Sequence, residues 1–577
     1  MSTSNLPIPD ISAGSIPAHG DIAALAGGQV PDTALIERLA NELFAAVPGG
    51  LSIPSPSFAS AFPPRSNDLA FPLTGGDPLD LHLDTRSNPA SQIPVNDAWT
   101  PGADFAVAPN LETSYPGEDV LRDLLKNNAK EHPKMTGATL YFLEEATRFN
   151  KSPAQANVPQ SPVASQQIAT SAHPPFDVLS VRRDFPILKE LVNGRPLAWL
   201  DNAATTQKPQ SVIDRLSYFY QHENSNIHRA AHELAARATD AYEGARDKIA
   251  DFINASSSSE IVFVRGTTEA INLVAQSWGR KNIGKDDEIV ITHLEHHANI
   301  VPWQMLCAET GAKLRVAPVD DDGQVLLEEY ERLLNSHTKL VSFTQVSNAL
   351  GTVTPAKQMV EMAHRYGARV LVDGAQSVSH MRADVQYLDC DFFVFSGHKV
   401  FGPTGIGALY GKPEVLEAMP PWQGGGNMIE DVTFEKTRYH PAPSKFEAGT
   451  GNIADAVGLG AAIDYVQKIG IDNINRYEHE LLVYAMKALG SIPGLRLIGT
   501  AQEKTSVLSF VLDGFLTSEV GDALNKEGIA VRTGHHCAQP ILRRFGLETT
   551  VRPSLAFYNT HEEIDRLVNV VRQLARS

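Results

Sequence analysis

Twenty-two of the chain's 37 prolines fall within residues 1–175, under a third of its 577 residues. They lie in runs such as LPIPDISAGSIPAHG, IPSPSFASAFPPRS and KSPAQANVPQSPVASQQ. Each proline fixes φ and removes an N–H, so such runs sustain neither a long helix nor an interior strand. Apolar residues are too sparse there for a core, and most of the front is expected to be a disordered linker. Three islands interrupt it. Asp32 to Val47 places Leu35, Ile36, Leu39, Leu43 and Phe44 at helical spacing. Pro116-Gly117-Glu118 opens a second helix running through Leu125, and Thr136 to Phe149 allows a third. Short amphipathic islands in such an arm suit docking segments that fold on binding; the plainer alternative is a passive linker with transient helices.

After Phe176 the texture changes. Helix-length patterns alternate with short apolar runs: EIVFV (260–264), EIVITH (288–293), KLVSFTQV (339–346), ARVLVDG (368–374) and DFFVFSG (391–397). Strands covered on both faces read this way. Stretches between them, such as PAKQMVEMAHRYG (355–367), carry helical spacing and end in glycine. The pattern is that of an α/β protein with a mostly parallel sheet, and residues 176–577 suffice for a large core.

Several classes are excluded. Three cysteines in 577 residues cannot form a disulfide framework, which points to a reducing compartment. No apolar stretch is long enough to span a membrane. The start MSTSNLPIPDISAGS lacks a basic region and an apolar region, and no Arg precedes Arg38, so neither a secretory signal nor an Arg-rich transit peptide is expected. A net charge of −18 disfavours nucleic acid as a general partner.

The chemistry concentrates in five motifs. SGHK, Ser396 to Lys399, follows the strand run DFFVF; a lysine there can form a Schiff base if its surroundings lower its pKa, although a lone lysine is more often a surface group. LVDGAQ puts Asp373 at another strand end, suited to a pyridinium nitrogen or simply to a turn. RGTTEAINLVAQSW sets Gly266, Thr267 and Thr268 where a helix begins, an anion site or a plain Thr cap beside Glu269. EHHAN offers His296 and His297 for stacking and proton exchange; zinc ligation lacks a local Cys pair or HExxH spacing, and no metal is expected. VRTGHHCAQP places Cys537 in a loop near Arg532, a setting that favours thiolate, whereas Cys307 and Cys390 sit in apolar contexts that read as core. Arg552, in TVRPSLAFYNT, offers a bidentate carboxylate clamp.

Together these motifs, with VSNALGT and KFEAGTGN, resemble the class V aminotransferase family of fold type I, and within it the SufS-type (group II) cysteine desulfurases. The resemblance covers nearly all of 177–577 and implies a large domain with a mostly parallel seven-stranded sheet (about 194–467). A smaller α+β part, 176–193 plus 468–577, would complete the fold. It implies pyridoxal 5′-phosphate (PLP) as cofactor, with Lys399 as its Schiff-base lysine, Asp373 on the pyridine nitrogen and Gln376 on the ring hydroxyl oxygen. His296 would stack on the ring. Thr267, Thr268, Ser396 and His398 would hold the phosphate, and Asn348, Arg532 and Arg552 the substrate carboxylate. Thr450 would reach the phosphate of a partner subunit, which implies a homodimer; Gly451 stands where the family carries proline. Cys537 would be the nucleophile that takes sulfur from L-cysteine and passes it to a SufE-like or SufU-like protein or a small thiol.

The Pro-rich front is similar to the extensions of family 2 encapsulin cargo enzymes, which implies a cytoplasmic enzyme packaged through residues 1–175 into a shell. Two rival readings share the rear. Selenocysteine lyase or cysteine sulfinate desulfinase would use the same PLP residues, and a non-catalytic scaffold would have kept only the fold.

Overall fold

The computed structural model describes residues 176–228 and 232–577. The Pro-rich arm and its three helical islands lie outside the described residues, so the architecture below is that of the rear. Among the described residues no helix is long and apolar enough to cross a membrane.

Seven strands form the central sheet: β1 (Ile261–Val264), β2 (Glu288–Thr292), β3 (Lys313–Ala317), β4 (Thr338–Thr344), β5 (Arg369–Asp373), β6 (Phe392–Ser396) and β7 (Gly407–Gly411). Their spatial order is β1-β7-β6-β5-β4-β2-β3. All neighbours are parallel except β7, which runs against both β1 and β6. This is the α/β fold with a mostly parallel seven-stranded sheet implied by the sequence.

The strand runs are apolar throughout because alternate residues enter two separate cores. Val370, Val372, Phe393 and Phe395 face one core; Leu371, Phe392 and Val394 face the other. On the first face lie α2 (Glu233–Phe252), α5 (Ala356–Arg365) and α6 (Ile453–Ile469), with α1 (Gln210–His222) packed on α6. On the second lie α3 (Thr267–Val274) and α4 (Val301–Thr310), which contributes Trp303 and Leu306. The parallel strands β2, β4, β5 and β6 therefore end on one edge of the sheet, where ligands bind in open α/β folds. Gly374 follows Asp373 on that edge, and a Cβ there would lie 2.1 Å from the Phe393 ring, so only glycine lets the strand end pack so closely.

A second sheet is antiparallel: β8 (Leu495–Ile498), β9 (Ser509–Leu512), β10 (Arg532–Gly534) and β11 (Thr550–Arg552), in the order β8-β9-β11-β10. Helices α7 (Ile471–Gly490), α8 (Thr517–Lys526) and α9 (His561–Leu574) pack on it or on one another. In α9, Thr560 accepts from the Glu563 N–H at 3.3 Å while the Glu563 carboxylate accepts from the Thr560 N–H at 3.1 Å. Such a cap is worth about 1 kcal/mol and sets the helix to bury Ile564, Leu567, Val568 and Val571. Glu563 also pairs with Arg182 at 3.0 Å, which joins the start of the described chain to its last helix.

Candidate active site

The site is built at the carboxyl edge of the central sheet. The chain leaves β1 at Arg265 and turns into α3 through Gly266, whose φ of +149° favours glycine and where a Cβ would sit 2.9 Å from Ser396 Oγ. Ser396, at the end of β6, accepts from the Thr267 N–H at 2.9 Å and donates to Thr267 Oγ1 at 3.0 Å. Neither Thr267 nor Thr268 caps the helix: Gly266 holds the cap position, and Glu269 instead accepts from the Arg265 N–H at 2.6 Å. The first turn of α3 thus stays open toward the cavity, a cradle for an anion.

One cavity of about 200 Å³ gathers the predicted residues. Lys399, His296, Asp373, Gln376, Thr267, Thr268, Ser396, His398, Asn348, Arg532, Arg552 and Cys537 all line it. Thr450 does not; it is exposed and lines a different surface pocket.

Burial pushes the Lys399 ammonium down to about 8, against the opposing pull of Asp373. Asp373 accepts from the Ala375 N–H at 2.9 Å, and burial pushes its carboxyl up. The His296 ring is pushed down to about 3, first by burial and then by Lys399, so it is neutral. Its Nδ1 accepts from the Ala298 N–H at 3.0 Å, which leaves the proton on Nε2. Gln376 is anchored by donating to the Ala203 carbonyl at 2.7 Å.

The opposite wall comes from the second sheet. Arg552, buried at the end of β11, donates from Nη1 to the Asn348 carbonyl and from Nη2 to Asp201 Oδ1, both at 3.0 Å. Its Nε and Asn348 Oδ1 are buried without a protein partner, and such groups await one. Beside them the backbone is left-handed at both His536 (φ +52°) and Cys537 (φ +54°). Asn348 Nδ2 donates to the His536 carbonyl at 2.7 Å, and the His536 ring lies 2.8 Å from Thr550 Oγ1.

The sequence reading missed the segment Asn202 to Thr206. Ala203 and Ala204 line the cavity, and Thr206 donates from its N–H to the His398 carbonyl at 3.0 Å, with Thr205 Oγ1 adding a bond at 3.1 Å. These contacts clamp the loop that carries Lys399. None of these residues titrates, so no chemical signal marked them. His536 was read only as part of a motif. Cys390 is buried as expected, while Cys307 is half-buried at the rim of the second core.

The donor set fits PLP: an amine of lowered pKa, a buried carboxylate one strand away, a neutral imidazole and an anion cradle on the same cavity. Fold and site together define a PLP-dependent α/β enzyme. The chain belongs to the aminotransferase class-V family, which it matches over residues 198–567.

Its relatives narrow the family to cysteine desulfurases. A cysteine desulfurase of Synechococcus elongatus is 57% identical, over 98% of this chain and 90% of its own. A cysteine desulfurase of Escherichia coli is 52% identical, over 70% of this chain and 99% of its own. The crystal structure of the E. coli cysteine desulfurase CsdA, at 40% identity, superposes with a TM-score of 0.65 over 69% of this chain and 98% of that one.

Proposed function

We propose that the chain converts L-cysteine to L-alanine as a PLP-dependent cysteine desulfurase, with Cys537 receiving the sulfur. The observation that carries this is the meeting of Lys399, Arg552 and Cys537 on one small cavity. Bound PLP supplies an electron sink for breaking bonds at the substrate's Cα and Cβ. Thr267, Thr268, Ser396 and His398 hold its phosphate, Asp373 its pyridine nitrogen and Gln376 its ring hydroxyl.

Arg552, with Asn348 and Arg532, orients the substrate carboxylate. Lys399, once its amine is free, takes the Cα proton at Nζ and later returns a proton to the product. The neutral His296 covers the ring and exchanges protons through Nε2. The Cys537 thiolate attacks the substrate sulfur: an S–S bond forms, the substrate C–S bond breaks with its electron pair left on carbon, and protonation there yields alanine. The persulfide then passes to a SufE-like or SufU-like protein or a small thiol. The tight GHHC turn supports a place among the SufS-type enzymes.

The working unit is a homodimer in which Thr450 reaches the partner's phosphate; its exposure away from this chain's own cavity supports that role. Within each subunit, 194–467 forms the PLP-binding part and 176–193 plus 468–577 the smaller part. Residues 1–175 direct the enzyme to an encapsulin shell in the cytoplasm. Support for a separable arm is that the S. elongatus relative matches along 98% of the chain, while the E. coli relative spends 99% of its own length on 70% of it.

Two experiments test this. Wild-type protein given L-cysteine should release alanine, and Lys399→Ala should not; alanine release from Lys399→Ala would overturn the assignment. Deletion of 1–175 should leave turnover intact and abolish co-purification with a co-expressed shell protein. Lost turnover with shell loading retained would overturn the role of the arm.

A further inference from the structure

Glu295, the first residue of EHHAN, takes no part in the chemistry above, yet it is fully buried behind it. Its carboxyl lies 2.6 Å from Thr292 Oγ1 on one side and accepts from Asn299 Nδ2 at 2.6 Å on the other. Asn299 Oδ1 in turn accepts from Trp303 Nε1 at 2.9 Å and from Ser342 Oγ at 2.5 Å. Every member of this network is buried. It clamps both ends of the loop that carries His296, from the end of β2 to the start of α4.

Four other buried carboxylates among the described residues face a cationic or titratable partner: Glu288 faces Arg315, Asp391 faces Arg369, Glu478 faces His380 and Glu563 faces Arg182. Glu260, which accepts from the Ser256 N–H at 3.1 Å, has no such partner but lies away from the cavity. Among the described residues Glu295 makes no ion pair. An isolated buried carboxylate is so costly that the group keeps its proton instead. The charged neighbour it does have is another carboxylate, Asp373, and this repulsion joins burial in pushing Glu295 up to about 8. Hydrogen bonds favour the charged form of both, from the Ala375 N–H on Asp373 and from Thr292, Asn299 and the Thr344 backbone on Glu295, but Asp373 alone has a nearby cation, Lys399. Two carboxyls that cannot both ionise divide their states by such differences.

We propose that Glu295 is a positioning residue that keeps its proton, holds the His296 loop in place, and leaves Asp373 the single negative charge facing the pyridine nitrogen. The inference rests on the PLP-dependent reading of the site. A protonated acid offers one donor and one acceptor, and a glutamine offers the same pair in the same shape.

The test uses PLP-loaded full-length enzyme and two variants, Glu295→Gln and Glu295→Leu. Readouts are the pH titration of the bound cofactor's absorbance, kcat and KM. Glu295→Gln should keep kcat within about twofold and the titration midpoint within about 0.3 pH unit, because no charge is removed. Glu295→Leu breaks the clamp and should lower kcat about tenfold or more with KM within about twofold. A midpoint shift of about one unit or more in Glu295→Gln would mean a charged Glu295 and overturn the proposal. A Glu295→Leu enzyme with wild-type kcat would overturn the positioning role; if that variant does not fold, the Gln titration still decides the charge. Failure of the PLP reading would show differently, as wild-type protein with no cofactor absorbance at all.

Discussion

The backbone N–H of His297 donates to the carbonyl oxygen of Cys537 at 2.8 Å. The loop after β2 thereby holds the nucleophile's turn directly, and the two sheets meet at the reacting groups. The hold is needed: two consecutive left-handed residues, His536 and Cys537, each cost on the order of 1 kcal/mol or more. Bonds from Asn348, His297 and the His536 ring offset that cost.

Thr550→Val removes the hydroxyl that meets the His536 ring and preserves its shape. Loss of one buried hydrogen bond should cost about 1 kcal/mol of stability. The turn should loosen, and single-turnover persulfide formation should fall about five- to tenfold while PLP binding is unchanged. Rapid-quench mass analysis of the Cys537 peptide checks this.

Lys399 gives a pH prediction. Its ammonium is pushed down to about 8, chiefly by burial. The neutral amine is the reactive form, so it is abundant above that value and scarce below it. Capture of PLP by the apoprotein, followed by absorbance, should therefore rise with pH through about 8 and then level off. Asp373 opposes the shift, so Asp373→Asn should move the midpoint lower. A midpoint near the ordinary lysine value of about 10.4 would contradict this.

The sequence made the carboxyl edge of β5 and β6 legible, because after Arg369 opens β5 both strands run apolar until Asp373 and Ser396 close them. β3 was not legible: its face is partly exposed and KLRVA alternates charge with apolar groups. β7 reads GALYG, short and bounded by glycine, and the helix that follows it, Pro413–Ala418, has only 6 residues, too few for a periodic pattern. Glu295 lay inside a motif already singled out, but only the imidazoles beside it carried an obvious chemistry. Its meaning depends on the absence of a cation around it, which spacing along the chain does not reveal.

Arg552→Lys tests the carboxylate clamp. Lysine keeps the charge and loses the fork that meets both Asn348 and Asp201. KM for L-cysteine should rise about tenfold or more, with a smaller change in kcat, as expected when a charge-assisted bond is lost. Steady-state kinetics at fixed pH measures it.

Cys537→Ala separates the desulfurase from its relatives on the same scaffold. Alanine release from L-cysteine should stop while release from L-selenocysteine continues, since selenium leaves as the element, with the C–Se electron pair kept on carbon and protonated there, and needs no protein thiol to accept it. Equal survival of both activities would assign the protein to the lyase reading.

The most direct measurement is the mass of the Cys537 peptide after the PLP-loaded enzyme meets L-cysteine with no acceptor present. One added sulfur atom on Cys537, absent from Cys307 and Cys390 and absent in Lys399→Ala, is the predicted result. Alanine accumulating while Cys537 stays unmodified would contradict it.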